Sequence, residues 1–153
     1  AIVDRIFQVG KFDVVLSQYS FATGATNDAT YKRLKDAGIG LVAMKVMAPA
    51  SGTRGRGPSD PGTPASGGPD KFLASLKWAL RNDIMGVAIP SMTDMDQLDM
   101  NLRAMSEPYS PSDQKLLAVL NEEIRPYYCR MCHQCSGQCP HGVTVADMIR
   151  YLS

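Results

Sequence analysis

The residues best equipped for chemistry sit in one short stretch. All four cysteines lie between Cys129 and Cys139, in the run Cys129-Arg-Met-Cys132-His-Gln-Cys135-Ser-Gly-Gln-Cys139-Pro140. A disulfide framework staples distant segments together, so thiols packed this closely, with none elsewhere, argue against one. The spacing is C-x2-C-x2-C-x3-C-P, that of bacterial-type ferredoxin segments. Thiolates two residues apart wrap a loop around one face of an iron–sulfur cubane, and the proline turns the chain away. Cys129, Cys132, Cys135 and Cys139 are therefore the candidate ligands of a 4Fe–4S cluster. In two-cluster ferredoxins the fourth cysteine of such a run binds the other cluster. No second run exists here, so counting assigns Cys139 to the same cluster, with a fourth ligand from elsewhere as the alternative. Structural zinc, held by four sulfurs or by three and His133, is the competing metal. Otherwise His133 and His141 read as polar loop histidines. Clustered thiolates also imply a reducing compartment, which predicts a cytoplasmic protein.

The elements that must position this run follow from the hydrophobic periodicity. Residues 1–105 repeat a strand-then-helix pattern. Asp13–Ser17 is a short apolar, β-branched strand, and a helix over 28–37 follows it, stopped by Gly38. Gly40–Val46 is a second continuous apolar strand. Asp70 opens a helix through KFLASLKWALRN, with Phe72, Leu76, Ala79 and Leu80 on one face. Gly86–Ile89 is the third strand. Thr93 is expected to cap the next helix, with Asp96 at its third position. Such units predict an α/β fold: a parallel sheet covered by helices.

Two stretches break the rhythm. Residues 48–69, rich in Gly, Pro and Ser, read as an active-site lid or a disordered insertion, with Arg54 and Arg56 the only hint of an anionic ligand. Residues 106–109 read as a linker, which places a domain boundary near 106 and divides the chain into 1–106 and 107–153. Beyond it, Ser110-Pro111-Ser112-Asp113 starts a helix with Leu116, Leu117, Leu120 and Ile124 inward. A short C-terminal helix follows, with Val145, Met148, Ile149 and Leu152 on one face, expected to pack on the cluster or on the preceding helix.

With 153 residues, a net charge of +1 and 20% charged residues, the chain suits one soluble domain with a small appendage. A near-neutral balance gives no electrostatic footprint for nucleic acid or an anionic membrane surface. No apolar run reaches the length of a membrane span. AIVDRIFQVGKF lacks the basic, apolar and small-residue pattern of a secretory signal.

The segments DVVLSQYSF (13–21), GIGLVAMKVMA (38–48), LKWALRN (76–82), AIPSMTDMDQLDMNL (88–102) and CRMCHQCSGQCPHGV (129–143) together carry a resemblance. In order and spacing they are similar to the C-terminal half of the aldo/keto reductase family, in a branch that ends in a ferredoxin-like motif. The resemblance implies the last three units of a (β/α)8 TIM barrel followed by a small helical iron–sulfur tail. In such barrels the site lies at the C-terminal ends of the strands, with phosphate held by the loops after the last two. NADP or NAD would then bind around Ile89–Asn101, touching Ser91, Met92, Gln97 and Asn101. Asn101 matches a family asparagine near the adenine. Family members that grip the 2′-phosphate carry a lysine and an arginine where this chain has Ser91 and Gln97. The family aromatic that covers the nicotinamide falls at Met44, whose polarizable sulfur can cover a flat ring, with barrel core as the equal alternative. Beside it, Lys45 either serves the site or exits to solvent.

The family's catalytic Asp, Tyr, Lys and His belong to the first four strands, so no catalytic residue is assigned here. Three strands cannot close a barrel, for which about 250 residues are typical. The implied whole is an oxidoreductase that reduces a small-molecule carbonyl with NAD(P)H. Its remaining partners would be the rest of the barrel or a second subunit, and a redox partner for the cluster. The rival readings are a non-enzymatic electron-transfer module and a zinc-stabilised interaction module.

Overall fold

The computed structural model describes residues 2–51, 68, 70–125 and 134–152. The elements run α1 (Ile2–Val9), β1 (Val14–Gln18), α2 (Asp28–Asp36), β2 (Gly40–Met44), α3 (Asp70–Leu80), β3 (Val87–Ala88), α4 (Met95–Ser106), α5 (Pro111–Ile124) and α6 (Val145–Leu152), with single 3-10 turns at Gly24–Asn27 and Ala48–Ser51. The strands form a parallel sheet in the order β1-β2-β3. Val14 pairs with Gly40 and Gln18 with Met44, while Val42 pairs with Val87. The expected α/β fold with a helix-covered parallel sheet is the one observed.

Local chemistry accounts for the element ends. Gly38 stops α2 at φ +80°. Its N–H donates to the Lys35 carbonyl at 2.8 Å and the Ile39 N–H to the Leu34 carbonyl at 3.0 Å, the paired bonds of a Schellman stop. At α5 the Ser110 hydroxyl accepts the Asp113 N–H and the Asp113 carboxylate accepts the Ser110 N–H, a reciprocal capping box with Pro111 in the first turn. Leu117, Leu120 and Ile124 are buried from α5, as expected, and Leu116 is half-buried.

Several expectations are corrected. The second strand ends at Met44 rather than Val46, because the chain turns at Lys45. The helix after β3 is capped by Asp94, one residue beyond Thr93, and its third position is Gln97 rather than Asp96. The single inward face assigned to α3 is too narrow. Leu76 and Ala79 are buried, but so are Lys71, Ser75, Lys77 and Trp78, because α3 packs against α4 and α5 as well as the strands. In α6, among the described side chains, Ala146 is buried, Val145 half-buried and Met148 56% exposed, while the side chains of Ile149 and Leu152 lie outside the described ones. Helix α1 was not anticipated. It lays Val3, Ile6 and Phe7 against the core, and the Arg33 guanidinium of α2 sits 5.3 Å over the Phe7 ring.

The two faces of the sheet differ. Leu41 and Ala43 are buried in the core with Leu34 of α2 and Leu76 of α3. The opposite face carries Val14 and Leu16 of β1, Val87 of β3 and Ile89 just beyond it, each about half exposed. Parallel sheets ordinarily have both faces covered, which is why their strands read as unbroken apolar runs. The apolar composition is present on both faces here, and among the described residues the cover is on one.

A buried ion pair ties α5 to α3. Lys77 is 7% exposed, and its Nζ lies 2.8 Å from Asp113 Oδ2 and 3.7 Å from Glu107 Oε2. Burial pushes the Asp113 carboxyl up, but the hydrogen bonds from Lys77 and Ser110 outweigh it and hold the group below the ordinary aspartate range.

Candidate functional site

The C-terminal ends of the strands are where a (β/α) barrel places its chemistry. In β1 this edge is Gln18, and in β2 it is Met44, the two being register partners. The Tyr19 N–H donates to the Met44 carbonyl at 3.1 Å, extending the ladder by one bond. Met44 is half-buried. Gln18 was not singled out from the sequence; its only signal is its place at the edge.

Lys45 turns the chain away from the sheet. Its φ of +54° makes it the one non-glycine in the left-handed region among the described residues. Its carbonyl accepts the Ala48 N–H at 3.2 Å. A left-handed conformation costs an ordinary L-residue roughly 1–2 kcal/mol, so the turn is held by its neighbours, Val46 being buried at 1% exposure. The Lys45 side chain is exposed.

After β3 the chain leads directly into α4. The Ile89 N–H donates to the Ala43 carbonyl at 3.0 Å, and Ser91 and Met92 follow as exposed residues. The first turn of α4 is closed by its own side chains. Asp94 Oδ1 accepts the Gln97 N–H at 2.8 Å, and Gln97 Oε1 accepts the Thr93 N–H at 3.0 Å. Gln97 Nε2 donates to Thr93 Oγ1 at 3.1 Å and to Asp94 Oδ2 at 2.6 Å. The signal for this cap is present in the sequence as Asp94-x-x-Gln97, a cap residue followed three positions later by Gln. One turn further on the helix, Asn101 is 6% exposed, and among the described residues neither its amide nitrogen nor its amide oxygen has a partner. Buried polar groups are paired in the great majority of cases, so an orphaned amide calls for an explanation.

A second polar cluster hangs beneath the exit of β1. The Tyr19 hydroxyl donates to Asp28 Oδ1 at 3.0 Å and accepts from Arg81 Nη1 at 3.2 Å and Asn82 Nδ2 at 3.4 Å. Its ring packs on Trp78 with centroids 4.9 Å apart, and the Arg81 guanidinium lies 3.7 Å over the Trp78 ring. Burial raises the Tyr19 hydroxyl above the ordinary tyrosine range. Tyr19 is 1% exposed and fully partnered, so this cluster holds α2 and α3 to the sheet.

Cys129, Cys132, His133, Arg54 and Arg56 lie outside the described residues. Cys135 and Cys139 are free thiols, each half-buried. The Gln138 N–H donates to the Cys135 carbonyl and the Gly142 N–H to the Cys139 carbonyl. Gly137 and Gly142 take φ of +75° and +71°. The chain between Gln134 and Gly142 is thus a pair of tight turns, each holding one thiol. Soft sulfur donors on turns suit a cluster or a zinc ion chemically.

No family model matches the chain, and no curated protein does. Among solved structures the chain is similar to the holo form of an aldo-keto reductase from Bacillus halodurans, with a TM-score of 0.53 and 14% identity. The likeness covers 78% of this chain and 46% of that one, so the chain spans about half the length of its structural neighbour. At that identity the likeness is one of fold. The chain has the α/β architecture of part of an aldo-keto reductase barrel. Among the described residues no helix is long and apolar enough to cross a membrane.

Proposed function

We propose that this chain is the C-terminal portion of an aldo/keto-reductase-like oxidoreductase that binds a nicotinamide dinucleotide along β3 and α4 and carries a 4Fe–4S cluster on its tail. The complete enzyme reduces a small-molecule carbonyl by hydride transfer from the nicotinamide. The observation that carries the nucleotide half is Asn101. Its buried, unpaired amide presents a donor and an acceptor side by side, the edge that pairs with adenine N7 and N6. Met44 at the neighbouring strand end would cover the nicotinamide, with Ser91 and Met92 along the connection between them and Lys45 at the margin.

The cluster half rests on the spacing of Cys129, Cys132, Cys135 and Cys139, with the tail passing single electrons to a redox partner or being held in place by the cluster. Further β–α units, from the same polypeptide or from a second subunit, would cover the open sheet face and supply the catalytic groups. The reducing chemistry fits a cytoplasmic location.

Anaerobic purification followed by iron, sulfide and zinc analysis tests the cluster. About four irons and four sulfides per chain are expected, with a broad visible band that bleaches on reduction. One zinc without sulfide would leave the tail a structural clip and remove the electron-transfer role. Titration with NADH and NADPH tests the nucleotide half. Absence of saturable binding would leave the rival reading, a non-enzymatic module, which the lack of any basic residue from 89 to 102 favours.

A further inference from the structure

We infer that one flank of α4 is a docking surface for an amphipathic helix of a second protein, one whose apolar stripe is bordered by Lys or Arg. At spacings of three and four residues, α4 presents side chains in rows. The row Gln97, Asn101 and Ala104 turns inward, Asn101 and Ala104 being buried and Gln97 half-buried. The row beside it is Met95, Leu98, Leu102 and Met105, apolar throughout. Leu98 is half-buried, but Met95 is 68% exposed, Leu102 54% and Met105 78%. Although α4 packs on α3, this row stays open. Large apolar residues scattered singly over a surface are ordinary, whereas a contiguous row of them marks an interaction surface. Steps of three, four and three are the spacing with which one helix lies along another. Methionine at both ends of the row gives it flexible side chains that adapt to a partner. Neither the row nor its border includes a residue given above to the dinucleotide.

Charge selects the occupant. The next row outward is Asp96, Asp99, Arg103 and Ser106. Arg103 is already bound to Glu107 at 2.9 Å. Asp96 and Asp99 are exposed, and among the described residues neither has an ion-pair partner. The apolar stripe therefore runs beside two uncompensated carboxylates. A helix with Lys or Arg along the matching border buries its stripe and pairs its charges at once. A second copy of this chain does not fit. Antiparallel packing of stripe on stripe would set the acidic rows against each other, with Asp99 near its own counterpart. Parallel packing would set each acidic row against the row that the other copy buries in its own fold.

The test is fluorescence anisotropy of two labelled synthetic peptides titrated with the full chain. Both are helices of about three heptads with leucine at the stripe positions; one carries Lys along the border and the other Glu. The Lys peptide is expected to saturate and to bind about tenfold or more tightly than the Glu peptide, since two attractive pairs replace two repulsive ones. The gap should narrow as salt screens it. Asp96→Asn with Asp99→Asn should erase the preference, and Leu102→Glu with Met105→Glu should weaken the Lys peptide about tenfold or more. Circular dichroism should stay unchanged in both variants, because the altered side chains are exposed. No binding of either peptide, equal binding of both, or Lys-peptide binding untouched by Leu102→Glu with Met105→Glu would overturn the inference. So would a dimer of the peptide-free chain in sedimentation that the same variant dissolves, because the row would then belong to a second copy.

Discussion

Replacing Lys77 with Met removes a charge from a buried ion pair while keeping most of the side-chain volume. Lys77 is 7% exposed, and its partner Asp113 has a side chain 14% exposed at 2.8 Å. Breaking a fully buried pair by removing one member costs about 3–5 kcal/mol, because the other charge is left uncompensated. Asp113 keeps its hydrogen bonds from the Ser110 N–H and hydroxyl, at 2.8 and 2.7 Å, and retains some contact with water. Those residual partners reduce the expected loss to about 2–3 kcal/mol. At about 2–4 °C per kcal/mol for a chain of this size, the melting temperature should fall by about 4–12 °C. Thermal and urea melts followed by circular dichroism measure this. Lys77→Met, Asp113→Asn and the double variant together form a cycle, and the coupling energy should fall between about 1 and 3 kcal/mol. A coupling within about 0.3 kcal/mol of zero, the ordinary error of additivity, would refute the claim that this pair fastens α5 to α3.

The same pair sets a pH dependence. Asp113 is held below its ordinary range in the folded chain, so its stabilisation is fully present above the unfolded aspartate pKa of about 3.9 and is lost as pH falls through the lower folded value. Urea midpoints from pH 6 to pH 3 should decline less steeply in Lys77→Met than in the wild type. Tyr19→Phe strips the hydroxyl that joins Asp28, Arg81 and Asn82 and should cost about 1–3 kcal/mol in a urea melt. Dinucleotide titration should show no change in affinity for that variant, since the cluster lies between the helices and the sheet. Gly38→Ala forces a side chain to φ +80°, although nothing lies within 4 Å of the added Cβ. A loss of about 1–2 kcal/mol is expected from backbone strain alone, readable as a lower melting temperature with an unaltered far-ultraviolet spectrum.

What could be read from the sequence was what neighbouring residues decide among themselves. Gly38 after a helical run and Ser110-Pro111-x-Asp113 before one are complete within four or five residues, and both appear as expected. The three strands were legible because their apolar runs are long enough to exclude a solvated segment. Helix α1 carries a local signal as well, since Val3, Ile6 and Phe7 repeat at helical spacing. Lys77 could not be understood from its surroundings in the chain. A lysine in a helix reads as a solvated charge until Asp113, 36 positions later by residue number, arrives on α5. The all-round burial of α3 has the same origin in packing by distant elements. At the candidate site Ser91, Gln97 and Asn101 are named only through the family resemblance, and the Asp94-x-x-Gln97 cap is legible as a motif, whereas the orphaned amide of Asn101 is visible only in three dimensions.

The open face of the sheet bears on when such a site can work. Val14, Leu16, Val87 and Ile89 are each about half exposed. Burying an aliphatic side chain fully is worth about 1.5–3 kcal/mol, so covering the exposed half of each gains about 1 kcal/mol and the four together about 4 kcal/mol. Net stabilities of whole domains are only about 5–15 kcal/mol, so the cover would contribute a substantial part of the stability of the assembled fold. Gln18 and Met44 stand at the C-terminal edge of this same sheet, and Ile89 itself opens the connection to α4. On the proposed reading, groups that close the open face would also wall the nicotinamide end of the dinucleotide site and exclude water from it. Gln97 and Asn101, proposed for the adenosine end, belong to α4, which packs on α3 within this chain. On that reading, adenosine recognition would draw on elements present here, and hydride transfer would need the covering units as well.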